Sequence, residues 1–412
     1  MSRFARPRND GHEQRATTLE LFYDLVFVFA ITQVSHLLLD NLTLQGVGQA
    51  ALALFVVWWA WNYTTWVTNE LDPDSPVVRL LLIGLMLASL VLAVAIPEAF
   101  GERGLLFAAA YVAIQVGRHT FLAFLSGEPG SLERARAERI LVWFLAAGAF
   151  WVAGGLADGS ARTLLWLAGL AIDVAGPLTV YRLPGRRRLP HSTWQVETAH
   201  FAERFQLFMI IALGETIVIT GATTADLEID ASRVAAFGVA FLATAAMWWL
   251  YFTYVAQIAE RRLARASGDE RTRLARDAYT FLHVVMVAGI IVAAVGDELV
   301  IAHPLDVLPG REVAVVVAGP ALYLLAHTLF RLRMAGSLSW KRLGGAAACL
   351  ALAPVGLAAP ALVLSSLVVA VLVAVIALEE LAAARRRARG EPSPLERLEA
   401  QPVEVEKVRP SV

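Results

Sequence analysis

Long apolar runs separated by short polar stretches form the pattern along the 412 residues of this chain. A helix needs about 20 apolar residues to cross the hydrocarbon core of a bilayer, and most of the runs reach that length. The pattern predicts about twelve membrane-spanning helices, near residues 19–39, 47–69, 78–97, 104–126, 138–156, 162–182, 200–222, 233–258, 278–300, 312–333, 342–359 and 361–383. Pro354 and Pro360 interrupt the last apolar stretch, so it forms either a tight hairpin or one broken element.

The composition supports a membrane protein. Hydrophobic residues make up 58% of the chain and charged residues 17%, whereas soluble domains have about 45–50% and roughly 25%. The arginines are scattered over separate loops, which argues against a nucleic-acid partner. The single cysteine, Cys349, excludes an intramolecular disulfide and a Cys-based metal site.

The distribution of basic residues predicts the orientation. With a cytoplasmic N-terminus and twelve spans, 29 of the 35 Lys and Arg residues fall on the inner side and four on the outer side, when arginines within three residues of a span end are counted with the adjacent loop. Arg118 and Arg204 are left inside spans. Such a bias is typical of cytoplasmic loops. The first apolar run lacks a small-residue cleavage site, so we expect a retained helix rather than a removed signal peptide. Both termini are therefore predicted to be cytoplasmic.

A weak internal repeat relates the two halves of the chain. The matching positions are Glu20 and Glu203, Trp58–Trp59 and Trp248–Trp249, Met86 and Met286, Glu98 and Glu298, and His119 and His327. Their offsets rise smoothly along the chain, from 183 to 208. Transporters are commonly built from such repeats, with the site near the bilayer midplane between them. Both tryptophan pairs lie deep in their predicted spans, so we expect them to pack in the core.

The predicted fold is all-α: a polytopic integral membrane bundle of about 12 transmembrane helices in two six-helix repeats of parallel topology. It divides the chain into five segments. These are an N-terminal cytoplasmic segment (1–18), a first six-helix membrane half (19–183), a basic cytoplasmic linker (184–199), a second six-helix membrane half (200–384) and a disordered cytoplasmic tail (385–412).

Ionisable side chains inside the seventh predicted span are the first candidates for function. Such groups are costly in hydrocarbon, so they normally face a protein interior or a water-filled cavity. This span carries His200, Glu203, Arg204 and Glu215, and Gly214 permits close helix approach beside the last carboxylate. Arg204 and Glu215 would lie about 16 Å apart along one helix. Each therefore requires a partner from another helix.

The first span begins with two carboxylates. Glu20 and Asp24 are four residues apart and share one helix face. Seven apolar residues follow Asp24, which favours a buried, partnered carboxylate. Glu20 is closer to the predicted cytoplasmic interface, where it is either buried with a partner or solvated among lipid headgroups.

The fourth and sixth spans add further polar groups at central positions. A central arginine such as Arg118 costs about 2.5–3.5 kcal/mol on insertion scales. It forms either a structural ion pair with Asp24, Asp173 or Glu215, or a site for an anionic substrate or for gating. Asp173 either pairs with Arg118 or contributes to a polar notch. His119 is either a satisfied core histidine or part of the same site.

A metal or catalytic motif is not evident. The spacing of His200 and Glu203 is compatible with metal ligation on a helix, but no HExxH motif, second histidine box or thiolate cluster accompanies it. No Ser-His-Asp triad, phosphate loop or nucleotide fingerprint is present. We therefore predict no catalytic residue, no metal and no cofactor. The oligomeric state is left open.

Two stretches carry a family resemblance. ELFYDLVFVFAITQVSHLL (20–38) together with HFAERFQLFMIIALGETIV (200–218) resembles the bacterial low-temperature-requirement A membrane protein family. The family pattern often has phenylalanine where Tyr23 stands here. The resemblance implies a polytopic protein of the bacterial inner membrane, and the family's name records a growth phenotype rather than an activity. The matching positions are Glu20, Phe22, Asp24, His200, Glu203, Arg204, Gly214 and Glu215.

The leading functional hypothesis is a transporter or permease-like protein for an unknown small molecule or ion, embedded in the lipid bilayer. Its substrate or proton path would be an intramembrane network of Asp24, Arg118, Asp173, Glu203, Arg204 and Glu215. The secondary candidates are Glu20, His119, His200 and Gly214. One alternative is a membrane-embedded enzyme that acts on lipid or uses a metal. The other is a non-catalytic membrane sensor or scaffold for growth in the cold.

Overall fold

The computed structural model describes Phe4, Arg6 and residues 15–189, 196–253 and 255–400. The regular elements in this part of the chain are helices, as the apolar pattern predicts. The predicted segments 1–18 and 184–199 fall partly outside the described residues. The predicted tail 385–412 is described as far as residue 400, and the rest of it lies outside the described residues.

The helices follow one another with short connections. The first six are α1 Thr18–Leu39, α2 Leu44–Thr68, α3 Pro76–Ala95, α4 Gly104–Thr120, α5 Leu132–Leu156 and α6 Gly159–Leu178. The next ten are α7 Thr198–Ala225, α8 Ala231–Phe252, α9 Val255–Arg265, α10 Gly268–Leu274, α11 His283–Ala302, α12 Gly310–Ala335, α13 Trp340–Ala351, α14 Ala353–Gly356, α15 Ala361–Ala388 and α16 Pro394–Ala400. A π-helical turn, Phe121–Ser126, extends α4, and another, Ala275–Leu282, leads into α11.

Eleven helices in the described part of the chain are long and apolar enough to cross a membrane, so the protein is a multi-pass membrane protein. The stretch predicted at 342–359 is not among these eleven helices. There α13 has 12 residues, which rise about 18 Å against a hydrocarbon core of about 30 Å. The short α14 follows after a break at Leu352, with Pro354 in its first turn, where a proline without an N–H is tolerated.

The α13–α14 pair runs antiparallel to α15. At its start, Arg342 bonds Glu379 near the end of α15. At its end, a Cβ built on Gly356 would touch the side chain of Leu364 near the start of α15. Glu379 and Leu364 are about 22 Å apart along their helix. The last apolar stretch is therefore a hairpin of one short, interrupted arm and one long arm.

The described helices group into two compact units. The first comprises Met1–Leu37 and Gly48–Arg204, and the second comprises Leu38–Val47 and Phe205–Val412. In the first unit, α2 is the most enclosed helix: Trp58, Trp59 and Trp61 are fully buried, as expected. The matching pair on α8 differs, because Trp248 and Trp249 are 46% and 45% exposed. The prediction of core packing is wrong for that pair, since both rings lie on an outward face of α8.

In the second unit, α11 and α12 pack at backbone contact. A Cβ on Gly319 would lie 2.4 Å from the backbone nitrogen of Ala293 and 2.6 Å from its Cα. A Cβ on Gly289 would lie 2.7 Å from the backbone nitrogen of Tyr323. Small residues at such crossings let two helix backbones approach closely in a membrane.

This contact predicts that Gly319→Ala destabilises the protein by about 1–3 kcal/mol, because backbone atoms have to move to admit the methyl group. Gly238→Ala on α8 is the control, since its Cβ would meet no atom within 4 Å. Loss of a helix-interior glycine there should be neutral or stabilising by up to about 1 kcal/mol. Thermal unfolding in detergent compares the two variants, and equal unfolding temperatures would contradict the close approach.

Candidate functional site

The site in the first unit begins with the cap of α1. Thr17 precedes the helix, and its backbone N–H and Oγ1 donate to Oε2 of Glu20 at 2.9 and 3.0 Å. The backbone N–H of Glu20 points back at Oγ1 of Thr17, at 3.4 Å. This reciprocal arrangement is a capping box, which satisfies donors that the first helical turn leaves free. The cap fixes the Glu20 carboxylate in place and buries it.

Helix α7 presents a cation to both carboxylates of α1. The Arg204 guanidinium lies 2.5 Å from Oδ1 of Asp24 through Nη2 and 3.1 Å from Oε1 of Glu20 through Nη1. One turn earlier, Nε2 of His200 lies 2.9 Å from Oε1 of Glu20. Spacings of four residues on both helices place each pair on one face. We call Glu20, Asp24, His200 and Arg204 the ion cluster.

Helix α2 completes the ion cluster with neutral donors. The indole Nε1 of Trp61 donates to Oδ1 of Asp24 at 2.8 Å. The amide of Asn69 accepts from the backbone N–H of Glu197 at 2.8 Å and donates to its carbonyl at 3.0 Å, which fixes its orientation. Its NH2 group therefore also donates to Nδ1 of His200, at 3.0 Å. In this arrangement Nδ1 of His200 accepts from Asn69, and Nε2 donates to Glu20.

The charges of the ion cluster are nearly balanced. Glu20 and Asp24 face Arg204 directly, and Nη1 of Arg6 lies 3.9 Å from Oε2 of Glu20. All four members of the cluster are buried. Arg204 thus has a partner from another helix, as predicted, and Asp24 is buried, as predicted. The alternative of a Glu20 side chain solvated among headgroups is wrong, because its cap and its two partners enclose it.

A second polar network in the first unit surrounds Arg118, which lies in the last turn of α4. Its Nη1 donates to Oγ1 of Thr64 at 2.9 Å and to the carbonyl of Ala60 at 3.2 Å. Its guanidinium lies 5.5 Å from the centre of the Tyr63 ring, within reach of a cation–π attraction. Nη2 donates to Oε1 of Gln115. Within the described residues of this unit, no carboxylate lies within 4.0 Å of Arg118, so its expected ion pair with Asp24 or Asp173 is absent.

Two neutral side chains connect Arg118 to Asp173. Gln115 donates through Nε2 to the Tyr111 hydroxyl at 3.0 Å, and Tyr111 donates to Oδ2 of Asp173 at 2.8 Å. Trp151 donates to the same oxygen at 2.9 Å. Oδ1 of Asp173 is buried and has no hydrogen-bond partner among the described residues. We call Arg118, Gln115, Tyr111 and Asp173 the polar chain.

The two remaining candidates in the first unit lie outside these networks. Glu203 is half-buried, and its Oε2 accepts the backbone N–H of Ala16 at 2.7 Å. It therefore ties the segment before α1 to α7. His119 is buried, hydrogen-bonds the Gln115 carbonyl through Nδ1 at 3.0 Å and packs against Phe144. Its contacts are those of a core histidine.

Glu215 and Gly214 belong to the second unit. Glu215 is buried, next to Thr216, whose hydroxyl lies 2.8 Å from that of Thr244. A Cβ on Gly214 would meet no atom within 4 Å among the described residues. The close helix approach predicted at Gly214 is therefore wrong, although open space beside it agrees with room next to the carboxylate.

The second unit has its own buried cation, which the sequence patterns missed. Arg342 binds Glu379 through two parallel bonds of 2.9 Å. It also contacts Nδ1 of His327 at 2.8 Å and the carbonyl of Leu250 at 3.1 Å. Arg342 lies at the start of a predicted span and Glu379 near the end of another, where charged residues are expected to be solvated. Their pairing across the hairpin is a long-range contact without a local signal.

The sequence contained a signal for three residues of the first unit that were not among the candidates: Thr64, Asn69 and Gln115. The second span ends in WNYTTWVTN, which supplies Thr64 and Asn69, and Gln115 interrupts an apolar run one turn before Arg118. Uncharged polar side chains that recur within a span mark a helix face turned toward other helices. Counting only charged residues overlooked that face.

The fold and these buried networks define a polytopic helical membrane protein with ionisable side chains held between its helices. Residues 15–377 match the profile of the bacterial low temperature requirement A protein (LtrA) family. The chain belongs to this family, as the motifs at 20–38 and 200–218 suggested.

A relative supports the assignment. The chain is 39% identical over 331 residues to an uncharacterized protein of Rhizobium meliloti (strain 1021), with 79% of each chain covered. No solved structure matches the chain.

The ion cluster predicts a large cost for removing its cation. Arg204→Gln leaves Glu20 and Asp24 facing each other in a buried site, and breaking such a pair costs about 3–5 kcal/mol. The triple variant Glu20→Gln/Asp24→Asn/Arg204→Gln should recover part of the loss, because no buried charge remains unpaired. Unfolding by a denaturing detergent gives the free energies.

Arg103→Gln is the matched control for this prediction. Arg103 pairs with Glu98 at 3.4 Å on an exposed surface, where an ion pair contributes about 1 kcal/mol or less. If Arg204→Gln were no less stable than Arg103→Gln, the ion cluster would not hold α1 and α7 together.

Proposed function

We propose that this protein is a transporter of a small anion, coupled to proton movement, in the bacterial inner membrane. The observation that carries the proposal is Arg118, a buried cation inside a span that has no carboxylate at hydrogen-bonding distance among the described residues of its own unit. The polar chain links it to the Asp173 carboxyl. The ion cluster, in contrast, pairs its cation directly with two carboxylates and serves to hold its helices.

Arg118 is the proposed anion site. An arginine inside a span is expensive unless a partner compensates its charge. Its present partners are two carbonyl or hydroxyl oxygens, a glutamine and an aromatic ring, all of them neutral. Its Nε is buried and has no hydrogen-bond acceptor in the described part of the chain. A substrate carboxylate or phosphate would supply the missing charge and acceptor, because guanidinium binds such groups through parallel bonds.

We propose that Asp173, rather than Glu215 or Asp24, carries the proton. Asp24 is engaged by Arg204 and Trp61, so it has little freedom to change charge without disrupting the ion cluster. Asp173 receives only neutral donors, from Tyr111 and Trp151. Its second oxygen is the position that can hold a proton. Protonation there would alter the Tyr111 hydrogen bond and, through Gln115, the contacts of Arg118.

The helix that carries Arg118 has a feature suited to movement. After Thr120 it continues as the π-helical turn Phe121–Ser126, and such turns occur frequently at functional sites. Tyr63, beside Arg118, is hydrogen-bonded to Tyr181. Tyr181 and the preceding Val180 have positive φ angles of 51° and 57°, which are strained for a β-branched residue and a tyrosine. Local strain of this kind concentrates at sites that switch.

We also propose a twelve-crossing topology with cytoplasmic termini. The two ends of the α13–α14 pair contact positions about 22 Å apart on α15, so we assign the pair as a shortened crossing. The even number keeps the basic loops and the tail on one side, in agreement with the charge bias. One pair of acceptor positions agrees with two six-helix repeats. Arg118 bonds the carbonyl of Ala60 and Arg342 bonds that of Leu250, and these two acceptors are separated by the 190-residue offset of the tryptophan pairs. The two arginines are 224 residues apart and are not repeat partners.

The topology predicts opposite labelling of the two ends of the α13–α14 pair. With the single cysteine replaced (Cys349→Ala), Ser337→Cys should be protected from an impermeant maleimide in whole cells and labelled after lysis. Ala358→Cys should be labelled in whole cells. Both positions are exposed, so access depends on the side of the membrane. Identical labelling of both would show that the pair does not cross.

The transport proposal predicts different defects for two variants in proteoliposomes that contain a pH-sensitive dye. The assay supplies a panel of small carboxylates and phosphate and follows substrate-dependent changes of internal pH. Arg118→Gln should lose about tenfold to a hundredfold in apparent affinity for the anion, the effect of a lost charged hydrogen bond. Asp173→Asn should abolish proton movement but retain anion exchange.

Asp158→Asn is the control for the carboxyl variant, because Asp158 is almost fully exposed in its pair with Arg162. It should behave as the wild type in both assays. Unchanged proton movement in Asp173→Asn, or unchanged anion affinity in Arg118→Gln, would remove the proposed role of the polar chain.

The compensated ion cluster favours a second candidate, a non-catalytic membrane scaffold for growth in the cold. Its buried charges would then serve packing alone. In that case Arg118→Gln and Asp173→Asn, if present at wild-type levels in the membrane, would both restore growth of a deletion strain in the cold.

A further inference from the structure

A large cleft opens in the second unit on the predicted cytoplasmic side. It has a volume of about 1510 Å³ and lies between α9, the connection from α12 to α13, the end of α15 and α16. Small-molecule sites usually measure about 300–1,000 Å³, so the cleft has room for a sizeable ligand. Nine of its lining side chains are Arg or Lys and four are Glu.

Part of this positive charge is already used within the protein. Arg342 binds Glu379, Arg262 binds Glu270, and Arg333 binds Asp277 from outside the cleft. Arg265 donates to the carbonyls of Leu398 and Glu399 and so holds α16 against α9. These contacts build the walls of the cleft.

Five other cations in the lining have no such compensation. They are Arg331, Lys341, Arg386, Arg387 and Arg397. Among the described residues, none of them has a carboxylate within 4.0 Å. Lys341 donates to the carbonyl of Leu378 at 2.8 Å, and Arg331 donates to the Ser337 hydroxyl at 3.3 Å.

Three of these five cations, Arg331, Lys341 and Arg386, come from three different elements and lie close enough to influence one another. Burial lowers the pKa of the Lys341 ammonium, Glu379 raises it, and the like charges of Arg386 and Arg331 lower it further. Like charges brought together at one wall repel each other, and an anion between them would relieve that repulsion. The positive-inside rule calls for basic residues on this side of the membrane, but it does not require them to converge on a cleft.

We propose that this cleft binds a phosphate-bearing anion through Arg331, Lys341 and Arg386. Arginine and lysine together suit a phosphate group, since guanidinium binds its oxygens in pairs and ammonium adds a compact charge. The site lies wholly in the second unit and does not depend on the proposed anion path at Arg118. Either proposal can fail without the other.

The phosphate can come from a lipid headgroup or from a soluble metabolite. Trp340, next to Lys341 in the cleft lining, is 73% exposed. An exposed tryptophan beside basic residues is typical of the headgroup level of a membrane, and basic pockets there bind anionic lipid headgroups. A soluble phosphate would reach the same groups from the cytoplasm.

The test uses the full-length protein in a neutral detergent. Its thermal unfolding midpoint is followed during titration with inorganic phosphate, against chloride at equal ionic strength. A second arm uses dihexanoyl phosphatidic acid, against dihexanoyl phosphatidylcholine. We expect at least one phosphate probe to raise the midpoint. Arg331→Gln, Lys341→Gln and Arg386→Gln should each weaken the apparent affinity about fivefold, the effect of one basic residue near an anionic group.

Arg273→Gln is the matched control. Arg273 is an exposed arginine of α10 on the same side, and it does not line the cleft. The Arg273→Gln variant makes the same change in net charge as the three cleft variants and should leave the apparent affinity for the phosphate probe unchanged. A response to phosphatidic acid alone identifies a lipid headgroup, and an equal response to inorganic phosphate identifies a soluble source. No response to either probe, or an equal loss in Arg273→Gln, would overturn the proposal.

Discussion

Charge compensation in an apolar interior is the constraint on which this structure depends. Arg204 meets it fully, because two carboxylates from α1 flank one guanidinium from α7. Arg342 meets it in the second unit through a bidentate pair with Glu379. Each ion pair joins elements that are distant in sequence and so holds them together. Apolar packing between membrane helices gives little specificity, so these pairs help to specify which helices are neighbours. Arg118 is the exception, and its neutral surroundings separate it from the structural charges.

Within the first unit, the compensated cation Arg204 and the uncompensated cation Arg118 have different roles. A cation fixed between two carboxylates is hard to displace, since any movement exposes a buried charge. A cation held by carbonyl, hydroxyl and amide oxygens can exchange one acceptor for another at a smaller cost. The polar chain is built from such exchangeable bonds, with a carboxyl at one end and a guanidinium at the other. The ion cluster beside it provides the fixed frame.

The sequence predicted the helical spans well because apolar length is a local property. It also predicted that Asp24 is buried and that Arg204 requires a partner from another helix, since an ionisable group within an apolar run is recognisable from the sequence. It left Glu20 open between burial and solvation. The pairing of Arg204 with Asp24 was not predictable, because the partners are 180 residues apart and nothing in the spacing specifies which spans are neighbours. The eleventh predicted span, 342–359, is shorter and more interrupted than expected, because hydropathy does not show that the helix breaks before Pro354. The exposure of Trp248 and Trp249 depends on which face of α8 is covered, which is a tertiary property.

The π-helical turn Phe121–Ser126 has a consequence for how the fourth span tolerates insertions and deletions. A wide turn holds one more residue than a regular turn of the same rise, so the register of the chain shifts by about 100° across it. Losing one residue within the turn would return it to regular geometry and leave Arg118 aimed as before. Losing one residue between Gly104 and Arg118 would rotate the guanidinium away from Thr64. The fourth span thus tolerates the loss of one residue after Arg118 but not before it.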